Sequence, residues 1–179
     1  MVNITNPNFK PEYDTHTTTL DAHTKNPLEV LSTGQYFTSR LGSYTTHVLT
    51  ANQLYGSILL IARNVTIDRI TIHISTPGAA GKVARLGIYN NGTNLYPGTL
   101  LLDAGAVAVD ATGVISATVN QALTKGIYFL ALVSDGAPTL YGPGIDDATF
   151  PILGVNSANF TQYATFWKVA FTYAALPDP

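Results

Sequence analysis

Residues 84–135 read ARLGIYNNGTNLYPGTLLLDAGAVAVDATGVISATVNQALTKGIYFLALVSD. Short apolar segments alternate with Gly, Asn and Pro turns at a steady interval, and no helix-period stretch intervenes. That pattern belongs to an antiparallel β-sandwich. Working outward, the clearest strand is residues 67–75. Ile70, Ile72 and Ile74 fall on one face and Thr71, His73 and Ser75 on the other, so one face is buried and the other wetter. Further strands are expected at 46–50, 55–62, 83–89, 100–109, 114–119, 126–134 and 166–173, with an edge strand at 35–38. Eight or nine strands suit a two-sheet jelly roll. Asn90-Asn91-Gly92 and Asp135-Gly136 are turn signals, because Asn, Asp and Gly tolerate positive φ. Residues 136–160 read as a long Gly/Pro-rich loop of the kind that often carries function.

The wording of these strands resembles the jelly-roll modules of tailed-bacteriophage virions. The segments that carry the resemblance are LGIY (86–89), YPG (96–98), LLDAG (101–105), the turn Thr112-Gly113-Val114, and GIYFLALVSD (126–135). Such modules occur on capsid decoration (cement) proteins and on tail fibres. The match is one of strand wording, without a catalytic signature, and implies a place in a particle more than a reaction.

With 179 residues, the chain fits one domain that buries about 70% of its unfolded surface. Charged residues make up 11%, against roughly 25% in a typical soluble domain. Thr, Ser, Asn and Gln must therefore supply the polar surface, which suits a protein packed against other proteins. The net charge of −2 and the scattered nine Lys and Arg leave no basic footprint for nucleic acid and no polybasic run for a membrane. Cysteine is absent, which excludes disulfides and thiolate metal sites. The opening MVNITNPNFKPEY lacks the basic and apolar regions of a secretion signal, and no apolar run is long enough to span a bilayer. An assembly that forms in the host cytoplasm and leaves by lysis meets these conditions.

Residues 1–26 are rich in Asn, Thr, Pro and His and bury too little to fold alone. We expect an extended arm that orders on a partner through Asn8, Phe9, Tyr13, His16, Leu20 and His23. Asp14-Thr15-His16-Thr17 recurs as Asp21-Ala22-His23-Thr24, a heptad step that would align two imidazoles along a seam of a multi-chain bundle. Two copies in a Thr-rich run of poor helix propensity favour a plain polar arm, and no metal is assigned. Residues 27–33 form a short helix and linker: Asn26 caps, Pro27 suits the first turn, Glu29 completes the cap and Gly34 ends it. The sandwich occupies residues 34–179.

Candidate chemistry is sparse. No G-x-S-x-G elbow exists. Residues 78–83, GAAGKV, have the wrong glycine spacing for a phosphate loop and put Val83 where a Ser or Thr should bind magnesium, so a β-turn is expected. Asp146 and Asp147 lack a second carboxylate to complete a glycosidase pair, Asp103 and Asp110 reading as strand-end or turn residues. They supply only part of a calcium site. His47 and His73 read as ordinary polar-face histidines on strands. The sequons at Asn3, Asn64, Asn91 and Asn159 follow from an Asn- and Thr-rich composition. No catalytic residue and no cofactor are assigned.

Aromatic residues carry more. The chain has ten Tyr, seven Phe and one Trp. Tyr96, Tyr141, Phe150, Phe160 and Tyr163 fall in or beside expected loops, where they suit contact with a protein or with sugar C–H surfaces. Trp167 reads as core at the start of a strand.

The resulting expectation is a capsid decoration protein on the virion surface. Its partners would be the major capsid protein and copies of itself, in a homotrimer first and a dimer second. A single module without a fibre shaft, and the arm, favour this over a tail-associated protein that binds host glycan.

Overall fold

The computed structural model describes Tyr36, residues 44–143 and residues 167–179. The chain divides into two compact units, residues 1–37 and 38–179, and every strand described here lies in the second. The arm at 1–26, the helix at 27–33 and the residues Phe150, Phe160 and Tyr163 lie outside the described residues. So does the strand expected at 35–38 apart from Tyr36, which is not in a strand.

The protein is all-β, with two antiparallel sheets packed face to face. Nine strands are described: β1 (Tyr44–Val48), β2 (Gln53–Ile61), β3 (Val65–Thr76), β4 (Val83–Asn91), β5 (Pro97–Ala108), β6 (Gly113–Leu123), β7 (Gly126–Ser134), β8 (Thr139–Pro143) and β9 (Trp167–Ala170). Sheet A has the order β1-β8-β3-β6 and sheet B the order β5-β4-β7-β2-β9. The first eight strands pair as nested partners: β4 with β5, β3 with β6, β2 with β7 and β1 with β8. The chain thus runs as one long hairpin folded over on itself.

Between the sheets, Leu59, Ile61, Leu86, Ile88 and Tyr128 of sheet B meet Ile70, Ala117 and Leu123 of sheet A. A second interior cluster joins Leu49, Ile74, Ala84, Val109 and Leu140. Each fully buried side chain of this size contributes about 1.5–3 kcal/mol. The alternation expected on β3 is present, with Ile70 and Ile74 buried and His73 exposed.

Sheet B is covered on its outer face as well. Ile58, Tyr89, Phe129, Ala131 and Val133 bury against Leu176, with Phe171 and Tyr173 packed alongside. The cover is the C-terminal strap, residues 171–179. This explains why β7 reads as an almost unbroken apolar run, IYFLALV: a strand buried on both faces has no polar side to alternate with.

Four expectations need correction. The loop expected at 136–160 contains β8, which sits in the interior of sheet A between β1 and β3. Its five residues, TLYGP, are too few for a period to emerge between Gly and Pro signals. The last strand ends at Ala170 instead of residue 173, because Phe171 and Tyr173 turn onto the outer face of sheet B. At the β4–β5 turn, positive φ falls on Asn94 (55°) and Leu95 (59°) and not on Asn90-Asn91-Gly92. Gly136 likewise serves space, not φ: a Cβ there would lie 2.8 Å from Lys82 Cβ. The turn expected within 78–83 is present, with the Lys82 N–H donating to the Ala79 carbonyl at 3.2 Å and Gly81 at φ 75°.

Candidate functional site

Two surfaces gather the described candidates. The first is the β4–β5 turn against β9. After β4, Asn94 and Leu95 adopt the left-handed conformation, which favours glycine and costs about 1–2 kcal/mol for a residue with a Cβ. The turn is closed by the Gly92 N–H donating to the Tyr96 carbonyl at 2.8 Å and the Tyr96 N–H donating to the Thr93 carbonyl at 3.1 Å. It delivers the Tyr96 ring onto Trp167, with centroids 4.2 Å apart and planes 24° from parallel. The indole Nε1–H donates to the Leu95 carbonyl at 3.0 Å. Tyr96 remains 53% exposed. Trp167, read from sequence as core, is half-buried and supports an exposed ring. Its pairing with Tyr96 was not legible, since 71 residues separate them.

The second surface is the outer face of sheet A. Strand register aligns Thr46 of β1 with Tyr141 of β8, and His73 of β3 with Val114 of β6. The His73 and Tyr141 rings lie 4.6 Å apart and tilted by 43°, so the four residues form one row across the sheet. Tyr141 is 45% exposed and Val114 59%. Alongside, the Thr71 and Ser116 hydroxyls share a hydrogen bond of 2.9 Å. The charges on strands β1, β8, β3 and β6 are Asp68 and Arg69, which pair with each other at 2.8 Å. The Arg69 hydrogen bond holds the Asp68 carboxyl below its ordinary range. Among the described residues the face is neutral and carries hydroxyls and ring edges. Tyr96, in the turn between two strands of sheet B, and Tyr141, in sheet A, thus do not form one site.

The carboxylates serve the fold. Asp110 accepts the Gly81 N–H at 2.9 Å, as a turn residue should. Asp103, expected at a strand end, sits inside β5 and accepts from Arg85 Nη1 at 3.0 Å, the Gly105 N–H at 2.9 Å and the Leu176 N–H at 3.2 Å. Burial raises its carboxyl, but those three donors outweigh burial and leave it below the ordinary Asp value. The same hydrogen bond raises the Arg85 guanidinium against the effect of burial. Burial, with Asp103 and Asp178 nearby, pushes the Tyr89 hydroxyl up to about 12. Among the described residues, no group of three His, Asp or Glu converges as a metal site would require. The arm candidates Asn8, Phe9, Tyr13, His16, Leu20 and His23, and also Asp146 and Asp147, lie outside the described residues.

Comparison of the chain with protein-family models, with curated proteins and with solved structures returned no match.

Proposed function

We propose that this chain is a structural protein of a tailed-phage virion, a decoration or cement protein that sits on the capsid surface and bridges neighbouring capsid subunits. The observation that carries the reading is the outer face of sheet A. It spans four strands and presents Thr46, Tyr141, His73 and Val114 in a row, and its charges are one mutually neutralising pair. Such a face can be buried against a partner without stranding an unpaired charge, which would cost several kcal/mol. The nested order of the first eight strands adds support: 1-8-3-6 in the four-stranded sheet and 5-4-7-2, with β9 added at the edge, in the five-stranded one is an order consistent with a rolled-up hairpin, the jelly roll. The strand wording noted above points to the same class of module. In this reading the arm, residues 1–26, reaches to a neighbouring subunit, the protein is a homo-oligomer with three copies the first expectation, and many weak contacts add through valency. Gold-labelled antibody on intact particles tests the reading. Label spread over the head supports it, and label confined to the tail tip overturns it in favour of a receptor-binding role.

A further inference from the structure

We propose that the open face of Tyr96, backed by Trp167, is a binding platform for the C–H face of a neutral pyranose. This site lies on sheet B, away from the sheet A face, and does not depend on where in a particle the chain sits.

One face of the Tyr96 ring is covered by an indole at a centroid distance of 4.2 Å, yet 53% of the residue remains exposed. More than half of the residue is therefore left to solvent on the side away from that backing. Exposed aromatic rings are ordinary; rings fixed in place are less so. Here the backing is locked, because the Trp167 Nε1–H donates to the Leu95 carbonyl at 3.0 Å. The carbonyl is aimed by two consecutive non-glycine residues in the left-handed region, Asn94 and Leu95. Strain of this kind persists where the surrounding structure over-determines it, and it gathers at ligand-binding positions. The platform is thus pre-organised, and binding would freeze little further freedom.

The chemistry of the surroundings selects the ligand. Residues 90–100 contain no charged side chain, and the turn exposes Asn91, Thr93 and Asn94. Lys168, the adjacent charge on β9, falls on the opposite face of the strand from Trp167 by the two-residue period. An open π face beside amides and a hydroxyl matches a neutral polyhydroxylated ring, which stacks its C–H surface and hydrogen-bonds at its edge. A protein hot spot would instead need a ring of residues around Tyr96 that excludes water, and the neighbours in this turn are exposed and polar.

The full chain has one tryptophan, so its fluorescence reports on this site. We would screen the full-length protein against an array of bacterial surface polysaccharides and methyl pyranosides, then titrate the best binder while recording tryptophan emission. The expected result is binding with a dissociation constant on the order of millimolar for a single sugar, with a shift in Trp167 emission. Tyr96→Ala should weaken binding at least about tenfold, while Tyr96→Phe, which keeps the ring face, should stay within about threefold. In the wild-type protein, saturating glycan should also protect Tyr96 from nitration, a readout that needs no variant. Absence of glycan binding, unchanged affinity in Tyr96→Ala, or nitration of Tyr96 at an undiminished rate would each overturn the proposal.

Discussion

The carboxylate of Asp103 accepts the amide N–H of Leu176 at 3.2 Å, across a sequence separation of 73 residues. A side chain in β5 therefore holds the C-terminal strap onto the outer face of sheet B. The rest of the strap is tied in the same manner. The Asn52 carbonyl accepts the Phe171 N–H at 3.0 Å and the Asn52 side chain accepts the Tyr173 N–H at 2.9 Å. Tyr89 donates to the Pro177 carbonyl at 2.7 Å, and Asp178 accepts the Leu100 N–H at 2.8 Å.

Removing the Asp103 carboxylate strands the group opposite it. Arg85 is 25% exposed at its side chain, and its buried Nε has no hydrogen-bond partner among the described residues. Asp103→Ala should therefore cost about 2–4 kcal/mol, because it takes the counter-charge from a largely buried guanidinium and leaves the Leu176 and Gly105 amides unmet. Asp103→Asn keeps an acceptor and should cost less. Urea denaturation of both variants checks the order, and equal stability of wild type and Asp103→Ala would refute it.

The same carboxylate sets an acid limit. Its folded pKa is lowered, so its stabilisation is present above the unfolded value near 3.9 and is lost as pH falls through the lower folded value. Wild-type stability should decline below about pH 4. The decline should be shallower in Asp103→Asn, which has no proton to take up. Melting temperature against pH for the two proteins measures the difference.

An alkaline limit arises at Tyr89. Its hydroxyl is pushed up to about 12 in the folded state, against about 10 when unfolded. The folded state thus favours the neutral phenol. Its contribution is complete below pH 10 and is lost as pH rises between about 10 and 12. Absorbance at the phenolate wavelength should show one tyrosine titrating late in the native protein, and Tyr89→Phe should abolish that step.

Gly87 leaves a notch for the strap. A Cβ at this position would collide with the Leu176 side chain and the Leu102 carbonyl. Gly87→Ala should destabilise by about 1–3 kcal/mol through overpacking. Leu176→Ala should cost about 2–4 kcal/mol, since Leu176 is almost fully buried. The double variant should cost less than the sum, because truncating Leu176 relieves part of the clash. Strict additivity would show that the two positions do not meet.

The sandwich was legible because β3 alternates strictly and Gly, Asn and Pro mark most of the turns. β7 was found to the residue from its apolar run and its Gly126 start. β8 was not, because five residues between Gly and Pro carry too little pattern for a period. The strap was also hidden: Phe171 and Tyr173 continue the pattern of β9, and what draws them away from it, the Asn52 acceptors and the seat for Leu176 at Gly87 and Asp103, lies far off in sequence. Of the candidate site residues, the exposure of Tyr96 followed from its turn. Its support by Trp167, and the row joining Tyr141 to His73, depend on register between distant strands, which no local signal encodes.

The sheet A face offers the sharpest mutational test of the proposed assembly role. Val114 is 59% exposed and lies opposite His73 in register. Val114→Lys should change folding stability by no more than about 0.5 kcal/mol, as is usual for an exposed position. It also places an unpaired charge on the edge strand of a sheet whose own strand charges, Asp68 and Arg69, pair with each other. If that surface is buried against a capsid partner, the unpaired ammonium must be desolvated, and attachment to particles should fall at least about tenfold. Co-sedimentation with particles lacking the protein measures this directly. Undiminished attachment of a well-folded Val114→Lys would mean that this face stays in solvent on the particle.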